Sequence, residues 1–381
     1  MSATRTSASI EPKPGTGTTV RVGRPDRRIW HSQGAKFYPR EQRLFRDLQR
    51  LIQEYVLTGY TPASPQLEAA DSVVTLGSCF ARELRTYLEQ SGVASDNIAL
   101  NAELDNTYAI LDFLSWIVTG RETGRGFRYE TSSGDISEWT PPGGREKLLA
   151  KLHRGQAYVF TLGLAEIWED RKTGGVFWRG IPADIFDARR HVFRLSTVEE
   201  NEQNIRRIIE LIRTLNPSAP IVLTLSPVPL KATFGDVSCV GADCLSKSTL
   251  RLALHRVMAT KPTNVYYWPS FEIVRWIGAH LPWPAYGVDD GVSRHTTRYL
   301  VANIIDAFVE AFYTPAAVAE LRAKNGSPSV GARSPRSPLV KLAVRRRELQ
   351  QTAQRARNKL AGLNARSWER LARRRRARGA A

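Results

Sequence analysis

A chain of 381 residues, 42% hydrophobic and with nine tryptophans, is long and apolar enough to bury a sizeable core, which excludes a wholly disordered or fibrous protein. The net charge of +18 is lopsided: residues 333–381 hold 16 Lys+Arg against 2 Asp+Glu, a net +14, which leaves +4 for everything before them. A reading as a basic protein therefore applies to the tail and not to the body. Three cysteines, Cys79, Cys239 and Cys244, are odd in number and too few for a disulfide framework. The Val-Gly-Ala-Asp spacer between Cys239 and Cys244 is not a zinc spacing, and the six scattered histidines add no ligand pair. The expectation is a reducing compartment with no metal and no organic cofactor. The first 20 residues lack the apolar segment of a secretory signal, and no window reaches the roughly 18 consecutive apolar residues of a membrane span, so the expected location is cytoplasmic.

In chain order, residues 1–28 are polar, basic and rich in Pro and Gly, and read as disordered. Residues 29–70 read as an extension that packs on the main domain. Within it Leu44, Phe45, Leu48, Leu51, Ile52 and Tyr55 recur at helical spacing and predict one amphipathic helix, ended by Tyr60-Thr61-Pro62. His31 is assigned to this packing surface. Residues 71–313 then alternate apolar, β-branched runs with helical patterns: strand 73–76, helix 81–90, a short strand near 97–100, a helix after Asn106, strand 157–162, helix 201–215, strand 220–225, helix 246–259, strand 264–268 and helix 296–312. The continuous apolar run Ile221-Val222-Leu223-Thr224-Leu225 is of the buried parallel type. This alternation predicts a three-layer α/β/α sandwich around a mostly parallel, doubly wound sheet.

The chemistry is expected at the carboxyl ends of the strands, where such sheets bind ligands. Val73 to Leu76 ends in Gly77-Ser78-Cys79 and then restarts with helical spacing, which places Ser78 and Cys79 at a strand-to-helix turn. There the helix dipole and free N–H groups favour a thiolate or an oxyanion. Asn106, just before a helix, is both a favoured N-cap and a candidate oxyanion donor. Residues 120–155, rich in Gly and Pro and carrying Phe127 and Trp139, read as a long lid-like insertion. A late loop, Asp289-Asp290-Gly291-Val292-Ser293-Arg294-His295, supplies a histidine and two carboxylates, the base and orienting acid that a nucleophile at the first turn would need. The competing reading is a turn followed by a helix cap.

Gly77-Ser78-Cys79-Phe80-Ala81 spells the signature of the GSCFA family, and the chain resembles that family in further blocks. These are Thr161 to Trp168, Leu225 to Pro229, Trp268-Pro269-Ser270-Phe271-Glu272 and the Asp289 to His295 region, in the family's order, so that the resemblance covers about 71–313. It implies a similarity to SGNH (GDSL-like) hydrolases, which are esterases and acyltransferases acting mainly on acylated lipids and glycans. Laid without gaps on the Gly-Asp-Ser of those enzymes, Gly77-Ser78-Cys79 makes Cys79 the nucleophile, and a shift by one residue makes it Ser78. Two departures stand out. The block that reads Gly-x-Asn-Asp in SGNH enzymes is Gly163-Leu164-Ala165-Glu166, whose alanine cannot donate to an oxyanion. The Asp-x-x-His spacing of three becomes five between Asp290 and His295, and whether Asp290 or Asp289 orients the imidazole stays open.

The resemblance thus implies an acyl-ester hydrolase or acyltransferase acting on an acylated glycan or glycolipid precursor. Cys79, Ser78, His295, Asp290 and Asp289 are its catalytic candidates, and Gly77, Asn106, Gly163, Glu166 and Ser226 its oxyanion or substrate contacts. Trp139, Trp168 and Trp268 are candidate stacking surfaces for sugar rings. The alternative is a catalytically inactive glycan-binding or scaffold protein of the same fold. Beyond 313, residues 314–338 read as a Ser/Pro-rich linker. Residues 339–381, with Leu342, Leu349, Leu360, Leu363, Trp368 and Leu371 among arginines, read as a basic helical tail for an anionic membrane surface, at the inner face of the membrane, or for nucleic acid.

Overall fold

The structure is a computed structural model. It describes residues 36–77, 79–92, 104–121, 144–178, 180–181, 183 and 185–331, together with the backbone of short strands at 19–21, 28–30, 96–97, 128–130 and 136–138; of Cys79 it describes the backbone. Ser78, His31, Phe127, Trp139 and the tail 339–381 lie outside the described residues. The strands that build the domain are β1 (Val73–Leu76), β2 (Asp96–Asn97), β3 (Ala157–Leu162), β4 (Glu166–Asp170), β5 (Gly175–Phe177), β6 (His191–Leu195), β7 (Ile221–Leu225) and β8 (Val265–Trp268). The helices are α1 (Cys79–Gln90), α2 (Thr107–Thr119), α3 (Gly144–Arg154), α4 (Val198–Leu215), α5 (Cys239–Ala259), α6 (Arg298–Phe312) and α7 (Pro315–Asn325).

Five strands form a wholly parallel sheet in the order β8-β7-β3-β1-β2, with Val74 opposite Tyr158 and Thr161 opposite Thr224. Counted along the chain this is the doubly wound order 2-1-3-4-5, in which the winding reverses between β1 and β3. Successive side chains of a strand face opposite ways, and the core divides accordingly. Val73, Ala157, Val159, Val222 and Trp268 join α1, α6, α7 and the N-terminal extension on one face. Val74, Leu76, Tyr158, Phe160, Leu162, Leu223, Leu225 and Tyr267 join α2, α3, α4 and α5 on the other. Each large side chain so buried contributes about 1.5–3 kcal/mol. Trp268 is fully buried, edge-on to Phe308 and Phe312 at 5.2 and 6.0 Å. The expected three-layer α/β/α sandwich is therefore the observed one.

Several local expectations change. The extension does not form one helix: Asp47 is extended and its carboxylate accepts from Arg50 N–H at 3.1 Å. It thereby separates a 3-10 turn (Gln42–Arg46) from a short α-helix (Leu48–Leu51) that runs into a π turn (Ile52–Val56). Within 1–28, read as disordered, Thr19–Arg21 pairs antiparallel with Arg28–Trp30, as suits Thr19, Val20, Ile29 and Trp30. α5 starts at Cys239 rather than Ser246, because the Ser238 hydroxyl caps it by accepting from Gly241 N–H at 3.2 Å. A small antiparallel sheet, β6-β4-β5, was not expected at all. The domain also continues past Tyr313 into the segment read as a linker. Thr314 caps α7, Ala317 and Leu321 are buried, and Arg322 pairs with Asp306 at 2.7 Å and Glu310 at 2.5 Å.

Candidate active site

The winding reverses between β1 and β3, and at the carboxyl ends of these strands, where doubly wound sheets bind ligands, the Gly77 turn follows β1. Gly77 has φ +116°, and a Cβ on it would meet the Thr161 carbonyl oxygen at 2.5 Å, so only glycine lets the turn lie this close to β3. α1 begins at Cys79, three residues after Leu76 ends β1. The backbone of Cys79 is thus at a helix N-terminus, where unpaired N–H groups and the dipole favour negative charge.

Next to the Gly77 turn, the turn after β3 is tied down on both sides. Gly163 and Leu164 N–H both donate to the Asp105 carbonyl, at 2.6 and 3.1 Å, and Ala165 N–H donates to the Ser246 hydroxyl at 2.7 Å. The Ala165 carbonyl accepts from both the N–H and the hydroxyl of Ser196. The amides at the position where an oxyanion donor was sought are therefore already engaged within the fold. Gly163 packs against Asp105 and braces the turn, and its N–H is not a spare donor. Asn106, next along, is buried. Its Oδ1 accepts from Ala109 N–H at 2.8 Å, capping α2, and its Nδ2 donates to the Trp178 carbonyl at 3.3 Å. The cap reading of Asn106 thus holds, and its amide retains a second N–H.

Ser226 is buried beside this turn. Its N–H donates to the Leu162 carbonyl at 2.7 Å and its hydroxyl accepts from Val228 N–H at 3.3 Å, so it shapes the loop that follows β7. Glu166 accepts from the Thr233 hydroxyl at 2.7 Å; burial and then the negative charge of Asp243 raise its pKa above the usual carboxylate range despite that bond. Trp268 is sealed in the core and is not a surface for sugar rings. Trp168 instead gathers Phe186, Phe193 and Phe234 at 5.2–5.6 Å, with Phe186 46% and Phe234 70% exposed. Glu272 accepts from Arg251 at 2.6 Å and Tyr267 at 2.7 Å, a clamp between α5 and the end of β8.

The late loop arrives at the same edge. The Tyr286 hydroxyl donates to the Pro227 carbonyl at 2.9 Å and Arg294 to the Pro229 carbonyl at 2.8 Å, which stitches it to the segment after Ser226. Within the loop, His295 Nδ1 is hydrogen-bonded to the Asp290 carboxylate, whose other oxygen accepts from Val292 N–H at 2.9 Å. Partial burial raises the Asp290 pKa, but these two bonds outweigh it and hold the carboxyl below its usual range. Asp289 does something else: it accepts from Arg298 N–H at 2.6 Å and caps α6. The five-residue spacing works because the chain turns back, with His295 N–H bonded to the Val292 carbonyl and Gly287 N–H to the His295 carbonyl, both at 2.9 Å. An imidazole whose Nδ1 is held by a carboxylate has Nε2 for proton transfer.

The sequence reading missed Lys247. It is buried, 3% exposed, and its ammonium donates to the Gly163 carbonyl. Burial brings its pKa down to about 8, opposed by Asp243 and Asp105. The signal was present: residues 243, 247, 250, 254 and 257 form one stripe of α5, and Lys247 stands in it among Leu250, Leu254 and Val257. Among the described residues no group of three or more His, Cys, Asp or Glu is arranged to hold a metal ion, and no helix is long and apolar enough to cross a membrane.

A doubly wound α/β sandwich with a carboxylate–imidazole pair at its carboxyl edge is thus the class of protein that fold and site define. Residues 143–308 match the model of the GSCFA family, so that the family resemblance holds over that span; the Gly77 to Ala81 signature lies before it. No curated protein matches the chain. Among solved structures, a carbohydrate esterase family 2 enzyme with its carbohydrate-binding domain, from Corynascus thermopiles (Myceliophthora fergusii), is similar at 14% identity with a TM-score of 0.29, covering 70% of this chain and 69% of that one.

Proposed function

We propose that this protein is an acyl-ester hydrolase or acyltransferase of the SGNH-like kind, with an acylated glycan or glycolipid precursor as substrate. The observation that carries the reading is the His295–Asp290 pair, in a loop fastened to the segment after Ser226 at the same sheet edge as the Gly77 turn. In the reaction, the sulfur of Cys79, or the hydroxyl oxygen of Ser78, attacks the ester carbonyl and its proton passes to His295 Nε2. Asp290 stays ionised and stabilises the imidazolium that forms. In this reading the α1 N-terminus and the second N–H of the Asn106 amide stabilise the charge that develops on the carbonyl oxygen. Collapse expels the alcohol with the proton from His295, and water or a sugar hydroxyl then takes the acyl group by the reverse sequence. The Trp168, Phe186 and Phe234 surface supports a sugar-ring substrate, since exposed aromatic rings stack on the apolar faces of sugars.

A second reading is a non-catalytic glycan-binding or scaffold protein. It is favoured by the engagement of all three amides at 163–165, where an oxyanion donor would be sought. In either case residues 339–381 are proposed to attach the protein to an anionic membrane surface or nucleic acid, within the cytoplasm. The deciding experiment is labelling of the purified protein with an iodoacetamide probe from pH 5 to 9, alongside Cys79→Ala and His295→Ala, followed by hydrolysis of acetylated oligosaccharides. Fast labelling at pH 6 that is lost in Cys79→Ala and slowed in His295→Ala establishes the thiol mechanism. Ordinary thiol behaviour directs the test to Ser78 with a fluorophosphonate, and silence there as well leaves the binding reading.

A further inference from the structure

α5 grips the turn after β3 with two neighbouring side chains. Ser246 accepts from Ala165 N–H, and Lys247 donates to the Gly163 carbonyl. From the opposite side the Asp105 carbonyl accepts from Gly163 and Leu164 N–H, and Asp105 is joined directly to Asn106, the cap of α2. We propose that Lys247 is a positioning residue for acyl transfer: its ammonium pins the Gly163 turn, and through Asp105 it fixes where the Asn106 amide stands, so that loss of its proton loosens that side of the candidate site. The proposal rests on the acyl-transfer reading above.

Stability alone does not account for this residue. A cation in an apolar stripe costs free energy unless it is paired, and a methionine would fill the same space without that cost. The nearest carboxylate on its own helix, Asp243, is already shared between Leu230 N–H, at 3.0 Å, and Arg275. The charged groups that face Lys247 are Asp243 from α5 itself, Asp105 from the loop before α2, and Arg275 from the turn after β8, with Glu166 of β4 coupled to Asp243. A carbonyl acceptor holds an ammonium and a neutral amine very differently. Proton loss near pH 8 therefore falls within the range in which turnover is measured.

The test uses the full chain, with Lys247→Met and Lys247→Arg. Labelling with 13C-carbonyl glycine and 15N leucine isolates the two Gly-Leu peptides of the sequence, Gly163–Leu164 and Gly362–Leu363, and Gly163→Ala assigns them. The expected result is a Gly163–Leu164 signal that titrates near pH 8 in the wild type and is flat in Lys247→Met. Against acetylated oligosaccharides or p-nitrophenyl acetate, Lys247→Met should lose about tenfold in kcat with KM within about twofold, the size of effect a small misplacement of a catalytic group gives. The wild type should show a fall in kcat above pH 8, and Lys247→Arg, charged throughout, should restore most of kcat and remove that fall. A flat Gly163 signal in the wild type, or wild-type kcat and pH profile in Lys247→Met, overturns the proposal. A titrating signal in a protein that turns over no ester and carries no activated nucleophile overturns instead the acyl-transfer reading and the catalytic purpose assigned to Lys247, while the brace itself stands.

Discussion

Two segments close the carboxyl edge of the sheet by opposite means. The turn at 163–165 is buried, has each of its amides engaged and is gripped by α5 on one side and the Asp105 loop on the other. The loop at 286–295 lies on the surface, with His295 and Asp290 side chains 44% and 42% exposed, held by its own turns and by two hydrogen bonds to the Pro227–Pro229 segment. The difference suits the proposed reaction: the buried side would supply a fixed wall, and the exposed side the group proposed to exchange protons. Substitutions on the two sides should accordingly separate stability from turnover.

The sharpest separation is expected from His295→Ala. Acyl turnover should fall by about a thousandfold, while urea unfolding should stay within about 0.5 kcal/mol of wild type, as for other surface substitutions. A large loss of stability would break the comparison. On the buried side, Gly163→Ala places a Cβ 2.7 Å from that of Asp105 and should cost about 2–3 kcal/mol in the same measurement. Lys247 sharpens the contrast through pH. Its pKa is lowered on folding from 10.5 to about 8, so the unfolded chain binds the proton more tightly. Its contribution to stability is therefore fully present above pH 10.5 and is lost as pH falls through 8. Wild type minus Lys247→Met should then gain about 3 kcal/mol from pH 7 to pH 10.5, and a flat difference would place the ammonium in water. The smallest effect is expected of Arg294→Ala, about 1 kcal/mol or less for one part-buried hydrogen bond to Pro229.

The parallel sheet was legible because each of its major strands is an apolar, β-branched run between helical patterns, and because burial on both faces leaves no other use for such runs. The antiparallel β6-β4-β5 sheet was not. Glu166, Trp168, Glu169 and Asp170 alternate weakly, and their partners at 191–195 are far along the chain, so nothing local announces the pairing. At the site, the Gly77 turn and the His295 loop could be read from residue types. Which aspartate serves the imidazole could not, since it depends on a turn that brings Asp290 back to His295 and leaves Asp289 for α6. Lys247 was passed over because a lysine in a helix is ordinarily exposed, and only its place in the stripe with Leu250 and Leu254 marked it. The end of the domain was misplaced at Tyr313 because Thr314-Pro315 reads as a break, whereas it is the cap and first turn of α7.

The adjacent carboxylates Asp289 and Asp290 have a consequence for how such a sequence can diverge. One fastens the start of α6 and the other the imidazole, and α6 is the helix whose Phe308 and Phe312 pack against Trp268. The position of the histidine is thereby inherited from the interior. Lineages that repack Trp268 or Phe308 would shift the imidazole along with the helix, so the loop's length and those aromatic residues are expected to drift together rather than independently.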